Sequence, residues 1–415
     1  MHVLLLSSIW PILGHKSAGK TVLGHLCKTL LEKGHDVSLA VCCPVDLPEE
    51  ESFDQLMSLG LKVVGDFTNE MNLDNPDLSL SFFKRILSYS GDVFAPLHKK
   101  DYPLFSNPEE TAEKLQGIGA DCAILFWDSW FERLLPYLSE IPTIGYLAKP
   151  RMEAGYTRAV QSPTSVRRWL NVVQFKGQQK RHLEMVKHLD KAVNICALDA
   201  DFYSNNDVPC DYVPNTWPDA FGADVYQKRI AAEGARDSVQ ILGNIGAISA
   251  TGNSHGIMYI SRYIVPLLQE ELSGLEWEVN ICGGGTARSD IAPYLKNPKI
   301  SVRGFVDDID NEILSNVVFL LCNNAGPYTG GYTRVIYVMS SAGCLVAHNN
   351  LAKSMPELVH GENCLLGETP EEISELIVQA VKDNKLRFEI GNSARKTYND
   401  FYHPSRIVEK LLSLS

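Results

Sequence analysis

The chain has 415 residues, of which 45% are hydrophobic and 21% are charged. This length predicts two or three domains that can bury their cores without disulfides. The formal net charge of −12 excludes a broad nucleic-acid-binding surface, because such a surface needs cations to neutralise phosphates. No run of 18 apolar residues is present, so no membrane-spanning helix is predicted, and the apolar start Met1–Leu6 is too short for the core of a secretion signal.

Ten cysteines are scattered along the chain. They form no C-x-x-C pair and no His/Cys cluster with the spacing of a zinc site. Several lie in apolar runs, such as Val41–Cys43 and Leu320–Cys322, which is typical of buried, reduced thiols. The pattern predicts a reducing, cytoplasmic location and no metal site.

In the first half, short apolar runs alternate with segments of helical periodicity. The predicted strands are Val3–Ser7, Val37–Cys43, Leu61–Val64, Cys122–Trp127, Thr143–Leu147 and Val193–Ala197. The predicted helices are Thr21–Lys33, Glu109–Gln116, Phe131–Leu138 and Ser165–Lys191. This alternation predicts a parallel, doubly wound sheet.

The second half shows the same alternation of short apolar runs and helical segments. Its predicted strands are Val239–Leu242, Trp277–Cys282, Ile300–Val302, Val317–Cys322 and Cys344–Ala347. Its predicted helices are Met258–Glu270, Thr333–Ser341, Pro370–Asp383, Lys385–Phe401 and Ser405–Leu412. A Pro/Gly-interrupted segment separates the halves, so we predict a first domain over residues 1–215, a linker over 216–235 and a second domain over 236–400. Ligands of open parallel sheets bind beyond the carboxyl ends of the strands, and a site in a cleft between the domains is expected.

Residues Gly14–Thr21 match the complete Walker A pattern of phosphate-binding loops, and Ile124–Asp128 offers a Walker B candidate. A P-loop begins directly where its strand ends, whereas here Ser8–Leu13 intervene with a proline among them. This spacing favours a coincidental match over an NTPase. The glycines and the following helix N-terminus still suit an anionic ligand.

Several stretches of the second half, taken in order, resemble the retaining glycosyltransferases of family 4, which have the GT-B fold. They are Val239–Asn244, Trp277–Gly285, Val302–Asp308, Ser340–Ala347 and Pro356–Leu366. In the first half, Lys28–Ala40 resembles the family's first helix and second strand, and Tyr212–Asn215 resembles its inter-domain linker. The resemblance implies an α/β GT-B architecture, in which two Rossmann-like, doubly wound parallel-sheet domains face each other across a cleft. It also implies that the last helix, within residues 401–415, crosses back to the first domain as part of a hinge.

The donor site departs from the family pattern. Two glutamates, which in the family position the donor sugar and the ribose, are replaced by Gly330 and Val338. The family's donor-loop Arg and Lys are missing from Asn244–Gly252. The usual donor contacts therefore cannot be carried over unchanged.

We expect the glycine-containing segment Asn323–Arg334 to replace them. Free N–H groups at a helix start, the Thr333 hydroxyl and the Arg334 guanidinium are suited to a diphosphate. The alternative is a turn with Thr333 as helix N-cap and Arg334 as a surface charge. The predicted donor-binding residues are Gly14, Lys16, Gly243, Asn244, Gly283, Gly284, Phe305, Val306, Tyr328, Thr329, Gly330, Gly331, Tyr332, Thr333 and Arg334.

Two of these groups have structural alternatives. Gly283 and Gly284 form either a wall of the donor pocket or a tight strand-to-helix turn. Phe305 and Val306 either contact the base, as the resemblance implies, or end a core strand.

Retaining transfer needs little side-chain acid–base chemistry, because the leaving diphosphate is stabilised electrostatically. Inverting transfer needs a positioned general base. The catalytic candidates are Asp128, which follows a strand, and His15, on the first glycine loop; the alternatives are a helix N-cap and an ordinary loop residue. Lys149 and Arg151 are candidates for an acceptor or anion contact, or else solvated surface charges.

The sequence thus predicts a glycosyltransferase that moves a sugar from a nucleotide-sugar, with UDP the commonest donor nucleotide of the resembled family, to a small-molecule, glycan or lipid-linked acceptor. We expect no tightly bound cofactor, no metal requirement and no nucleic-acid partner. The basic helix Ser165–Lys191 could dock on anionic lipid, but its interleaved acids favour a solvated face. The alternatives are a P-loop NTPase or kinase and a GT-B binding subunit without transferase activity.

Overall fold

The computed structural model describes residues 1–14, 17–43, 48–71, 82–102, 104–127, 130–148, 164–325 and 330–415. Two compact units make up the chain. Residues 1–214 and 404–415 form the first unit, and residues 215–403 form the second.

A seven-stranded sheet lies at the centre of the first unit. Its strands are β1 (His2–Ser7), β2 (Asp36–Val41), β3 (Lys62–Asp66), β4 (Cys122–Phe126), β5 (Thr143–Leu147), β6 (Lys191–Asn194) and β7 (Cys210–Tyr212). They pair in the order β3-β2-β1-β4-β5-β6-β7, and every pairing is parallel. Strands β4 and β5 are buried at every residue, as expected where helices cover both faces of a parallel sheet.

The helices of this unit alternate with the strands. They are α1 (Ala18–Glu32), α2 (Glu50–Ser58), α3 (Phe82–Phe94), α4 (Pro108–Gln116), α5 (Ser165–Val186) and α6 (Ala197–Ser204), and Phe131–Tyr137 forms a 3₁₀ helix. Helix α5 ends at Val186, before the predicted end at Lys191. In the turn after α5, the Asp190 carboxylate accepts hydrogen bonds from the backbone N–H (2.7 Å) and the hydroxyl (2.9 Å) of Thr143. These bonds align β6 beside β5, so the helix has to end before Asp190.

The second unit contains a six-stranded parallel sheet. Its strands are β8 (Val239–Ile245), β9 (Trp277–Cys282), β10 (Ile300–Gly304), β11 (Val318–Leu321), β12 (Leu345–His348) and β13 (Leu365–Gly367), in the order β10-β9-β8-β11-β12-β13. Its helices are α7 (Val225–Gly234), α8 (Thr251–Tyr259), α9 (Val265–Glu271), α10 (Ile309–Ser315), α11 (Thr333–Ser340), α12 (Asn350–Ser354), α13 (Pro370–Lys382) and α14 (Asn384–Thr397). Both sheets therefore have the doubly wound parallel topology expected from the strand–helix alternation.

The segment interpreted as a linker, residues 216–235, instead contains helix α7 of the second unit. Arg229 on this helix is buried and donates hydrogen bonds to the carbonyl oxygens of Ser341 and Asn316, both at 3.0 Å. These contacts explain why the segment folds with the second sheet.

After the second unit the chain returns to the first. Helix α15 (Pro404–Leu412) buries Ile407, Val408 and Leu411, and Glu409 pairs with Lys33 at the end of α1 across 2.8 Å. Within the described ranges, no helix combines the length and hydrophobicity needed to cross a bilayer.

Candidate functional site

The strand order of the second unit defines a topological switch point. The chain starts in the middle of the sheet at β8, moves outward through β9 and β10, and then returns to β11 on the other side of β8. In open parallel sheets, ligands bind beyond the carboxyl ends of the two strands where the direction reverses. The candidate site is therefore built from the segments that follow β8 and β11.

Asn244 at the end of β8 is buried and fully hydrogen-bonded. Its side-chain NH₂ donates to the carbonyl oxygens of Gly246 (2.8 Å) and Cys282 (2.9 Å). The remaining acceptor, Oδ1, lies 3.3 Å from Nη1 of Arg334, which donates to it. Asn244 therefore joins the loop after β8 to the start of α11, which follows β11.

Arg334 is a half-buried cation without a counter-ion in the described structure. No described Asp or Glu pairs with it, and its guanidinium lies 6.0 Å from the centre of the Tyr332 ring. Burial lowers the pKa of Arg334 to about 10 from its ordinary value of 12.5. A desolvated charge without a counter-ion lowers the stability of the protein, and a bound anion removes that loss of stability.

Two helix N-termini lie at this switch point. Helix α8 follows β8 and helix α11 follows β11, and neither has a side-chain N-cap hydrogen bond or an acidic residue in its first turn. The first-turn N–H groups of a helix carry partial positive charge and bind anions when no cap satisfies them. With Arg334 on α11, the site offers an anion both a full charge and backbone donors.

Side chains of α8 hold the loop after β8 in place. Asn253 donates to the carbonyl oxygen of Ala247 (2.9 Å) and the Ser254 hydroxyl donates to that of Ile248 (2.7 Å). Asn323, after β11, donates in turn to Asn253 Oδ1 (3.3 Å). Asn253 and Ser254 are not among the predicted site residues; their only sequence signal is a pair of neighbouring polar residues in the first turn of a helix.

The glycines after β9 pack against the loop after β8. Gly283 has a φ of +143°, and a methyl group added there would lie 1.8 Å from the carbonyl oxygen of Gly246. Its N–H donates to the carbonyl oxygen of Gly304 at 2.7 Å. Gly284 faces open space, because nothing lies within 4 Å of an added methyl group. Packing thus requires a glycine at position 283, whereas Gly284 leaves room for a ligand.

Phe305 follows Gly304, at the end of β10, and its side chain is 68% exposed. The interpretation of this residue as the end of a core strand is therefore wrong, while Val306 beside it is half-buried. An exposed aromatic ring next to the glycine loop is suited to stacking on a nucleotide base.

Four other predicted residues lie in positions that shape the fold of the second unit. Gly243 is inside β8 at a bulge, and a methyl group there would lie 2.7 Å from Val279, so it packs the sheet instead of forming a loop wall. The carbonyl oxygen of Gly331 accepts from the Asn215 side chain at 2.8 Å. Tyr332 is the N-cap residue of α11, which excludes the N-cap alternative for Thr333; Gly330, with a φ of +139°, precedes it.

Some of the predicted site residues lie outside the described ranges. They are His15, Lys16, Asp128, Lys149, Arg151, Tyr328 and Thr329. The catalytic and acceptor-contact predictions therefore stay predictions.

The described residues around the Walker A match do not follow the geometry of a P-loop. Helix α1 begins at Ala18, eleven positions after β1 ends at Ser7. Thr21, whose hydroxyl would bind Mg²⁺ in a P-loop, is buried and donates that hydroxyl to the carbonyl oxygen of Gly14. This contact gives the Thr21 hydroxyl a structural role within the first unit.

No protein-family profile matches the chain, and no curated protein sequence matches it. Solved structures do match it along its whole length. Anabaena HepE in complex with UDP and glucose matches with a TM-score of 0.59 at 12% identity, covering 99% of this chain and 98% of that one. A TarM variant of S. aureus in complex with fondaparinux, alpha-GlcNAc-glycerol and UDP matches with a TM-score of 0.63 at 11% identity, covering 100% and 99%. Sucrose-phosphate synthase from Thermosynechococcus elongatus matches with a TM-score of 0.61 at 11% identity, covering 100% and 98%.

These structural neighbours are glycosyltransferases, and the match extends over both parallel-sheet units. At such identities the likeness establishes the fold. The chain therefore has the GT-B fold of the glycosyltransferases to which it is similar.

Proposed function

We propose that this protein is a glycosyltransferase that binds a nucleoside-diphosphate sugar at the switch point of its second unit. The observation that carries the proposal is Arg334, a desolvated cation without a described carboxylate partner, held by Asn244 beside two uncapped helix N-termini. HepE and TarM, which share the fold, were solved with UDP bound. We accordingly propose UDP as the donor nucleotide.

In this proposal the diphosphate lies between the N-termini of α8 and α11, and Arg334 donates to its oxygens. Negative charge grows on the leaving diphosphate as the bond to the sugar breaks. A fixed guanidinium and backbone N–H groups stabilise that charge without reorganising. Because Arg334 supplies a cation at this place, we expect no divalent metal requirement.

The proposed base contact is Phe305, whose exposed ring stacks on the nucleobase. Gly284 provides the open backbone along which the nucleotide approaches. Gly284 follows β9, which neighbours β8, and Phe305 follows β10, the next strand out, so one nucleotide can span from Phe305 to Arg334 along the sheet edge.

We propose a retaining outcome and membership of the family 4 type, on the support of the sequence stretches that resemble that family. In the second unit, Val338 is buried and contacts Gly343, so no carboxylate replaces the missing glutamate at that position. The acceptor in this proposal is a small molecule, a glycan or a lipid-linked sugar. The cysteines described here are free and nearly all buried, which supports a cytoplasmic location.

The absence of that glutamate pair favours one second candidate, a binding subunit that takes up nucleotide-sugar without transferring the sugar. The two functions share the site and differ in turnover. Only measured transfer or hydrolysis separates them.

The first experiment is a thermal-shift and calorimetric panel with UDP, GDP, dTDP, CDP, ADP and ATP, with Mg²⁺ or with EDTA. A ligand at 100 times its dissociation constant adds about 2.7 kcal/mol to the free energy of unfolding. We expect stabilisation by UDP in EDTA, lost in Arg334→Gln and kept in Arg262→Gln, a control cation that also lies over tyrosine rings in the second unit.

Release of UDP from UDP-sugars, with the product anomer read by NMR, then tests catalysis. Binding without turnover across a panel of acceptors would favour the subunit. No stabilisation by any nucleoside diphosphate would refute both candidates.

A further inference from the structure

Helices α3 and α5 of the first unit pack tightly along one another. A methyl group added at Gly177 would lie 2.7 Å from Cβ of Tyr89, so the backbones are in close contact there. Further along, Arg181 and Asp92 form a buried ion pair. Residue numbers rise together in these two contacts, so the helices run in the same direction and their first turns lie at the same end.

Large apolar side chains of this helix pair point away from the core. The members of this apolar face are each between 60% and 85% exposed. They are Phe83, Leu87 and Phe94 on α3 and Val166 and Trp169 on α5. On α3 they follow helical spacing and form one exposed stripe, whereas Ile86 and Tyr89 of the same helix are buried. A stripe of large, exposed apolar residues along one face of a helix indicates an interaction site.

The charge of the helix pair is opposite to that of the whole chain. Helices α3 and α5 contain seven Lys and Arg residues against two acids, Asp92 and Glu184, although the chain carries −12. Both acids are already paired, Asp92 with Arg181 and Glu184 with Lys187 at 3.0 Å. Lys84 and Arg167, which adjoin Phe83 and Val166 in sequence, are exposed.

We propose that the apolar face of α3 and α5 docks on an anionic phospholipid bilayer. Aromatic and aliphatic side chains beside cations are the composition of a helix that lies in the membrane interface, where the apolar groups enter the acyl boundary and the cations meet lipid phosphates. A second copy that docks through this same face is a poor occupant, since it would bring like charges together. The acids that favoured a solvated helix face in the sequence lie away from this stripe, at the end of α5 or beyond it.

The proposal is independent of the nucleotide site. It assigns peripheral binding, because the described helices include none that could span a bilayer.

The test is flotation of the full chain with vesicles of phosphatidylcholine alone and of phosphatidylcholine mixed with an equal amount of phosphatidylglycerol. We expect binding to the anionic vesicles only, weakened by salt. The double variant Lys84→Glu/Arg167→Glu should weaken it, by about fivefold for each cation lost. The triple variant Phe83→Ser/Leu87→Ser/Trp169→Ser should abolish it.

The matched control is Ile230→Ser/Phe401→Ser, which removes exposed apolar residues of the second unit and should leave vesicle binding unchanged. Thermal unfolding and nucleotide binding of every variant check that folding is intact. Absence of wild-type binding to anionic vesicles, or equal binding by the triple variant, would overturn the proposal. Oligomers that the triple variant dissociates, seen by light scattering without lipid, would instead make the face a protein interface.

Discussion

The Arg334 guanidinium donates to the Oδ1 of Asn244 across 3.3 Å, from the start of one helix to the end of a strand on the other side of the topological switch point. Asn244 cannot turn its amide over, because both of its N–H donors are bound to carbonyl oxygens. The cation is thus held in one orientation by a neutral group that does not neutralise it. The charge of Arg334 therefore lowers the stability of the empty protein, and it raises the affinity of the site for an anionic ligand.

Replacing Arg334 with methionine should therefore stabilise the empty protein while weakening nucleotide binding. Burial lowers the pKa of Arg334 to about 10, so the charged form costs stability at every pH below that value, and the cost fades as pH rises toward 12.5. Because solvent reaches part of the side chain, we expect a gain of only about 1 kcal/mol, or about 2–4 °C in Tm.

UDP binding by the same variant should weaken by about 10- to 100-fold, the value of a charge-assisted hydrogen bond. Scanning calorimetry of the empty protein and titration calorimetry with UDP measure the two effects. Arg262→Met is the control for both. A variant that is less stable than the wild type and binds UDP normally would contradict the assignment.

Phe305→Ala should weaken binding of UDP but not of pyrophosphate. Stacking on an aromatic side chain contributes about 1–3 kcal/mol per base, and pyrophosphate has no base. The exposed ring makes little contact with the core, so the Tm should hardly change. Titration calorimetry with both ligands, and with Val302→Ala as an exposed control on the same strand, checks this prediction. Equal losses for UDP and pyrophosphate would show that Phe305 does not contact the base.

Gly283 and Gly284 should respond differently to alanine. Gly283→Ala forces a methyl group onto the carbonyl oxygen of Gly246 at a positive φ, and should cost at least about 2 kcal/mol of the free energy of unfolding. The methyl group added by Gly284→Ala lies near no other atom of the protein, so this variant should fold normally. It should weaken nucleotide binding if the nucleotide lies against Gly284. Urea denaturation and UDP titration distinguish the two. Normal stability of Gly283→Ala would refute the packing argument.

Thr21→Val should leave nucleotide binding unchanged. The buried hydroxyl donates to Gly14, and its loss should cost about 1 kcal/mol of stability. In a true P-loop the same change would remove a Mg²⁺ ligand and abolish stabilisation by MgATP. A thermal-shift comparison with UDP and MgATP decides between these outcomes.

Asp219→Asn should destabilise the second unit more near neutral pH than in acid. Burial alone would raise the pKa of Asp219, but hydrogen bonds from Arg395 and from the N–H groups of Phe221 and Gly222 hold it below its ordinary value of 3.8. Its stabilisation is therefore present above that value and is lost as pH falls below it.

We expect the Asp219→Asn variant to lose about 2 kcal/mol near pH 7 and clearly less at about pH 3, where protonation of the wild-type carboxylate has begun. Urea denaturation at the two pH values measures this. A difference of the same size in acid would assign the loss to packing instead of charge.

The parallel sheets could be predicted from the sequence because central strands such as β1 and β4 are short apolar runs. Pairs such as Asn244 and Arg334, 90 positions apart, have no local signature and required the fold. Gly243 was misplaced because a glycine at a strand bulge and one in a ligand loop have the same local pattern.

Helix α3 was missed for a different reason. Its exposed face is as apolar as its buried one, so Phe83 and Leu87 obscure the periodicity set by Ile86 and Tyr89. The end of α5 was predicted too late because residues 187–190 continue a helical composition, while the contact between Asp190 and Thr143 is long-range. The catalytic roles of Asp128 and His15 stay predictions, since both residues lie outside the described ranges.

Helix α15 completes the first unit although it follows the whole of the second unit in the chain. Its buried Ile407, Val408 and Leu411, and the pair between Glu409 and Lys33, form only after a ribosome has translated well beyond residue 403. During synthesis the second unit can fold before the first, because residues 1–214 complete their unit only once helix α15 has been made. A premature stop that removes residues 404–415 would thus damage the amino-terminal unit, and a nascent chain would expose the uncovered surface of α1 to chaperones until synthesis has passed Leu411.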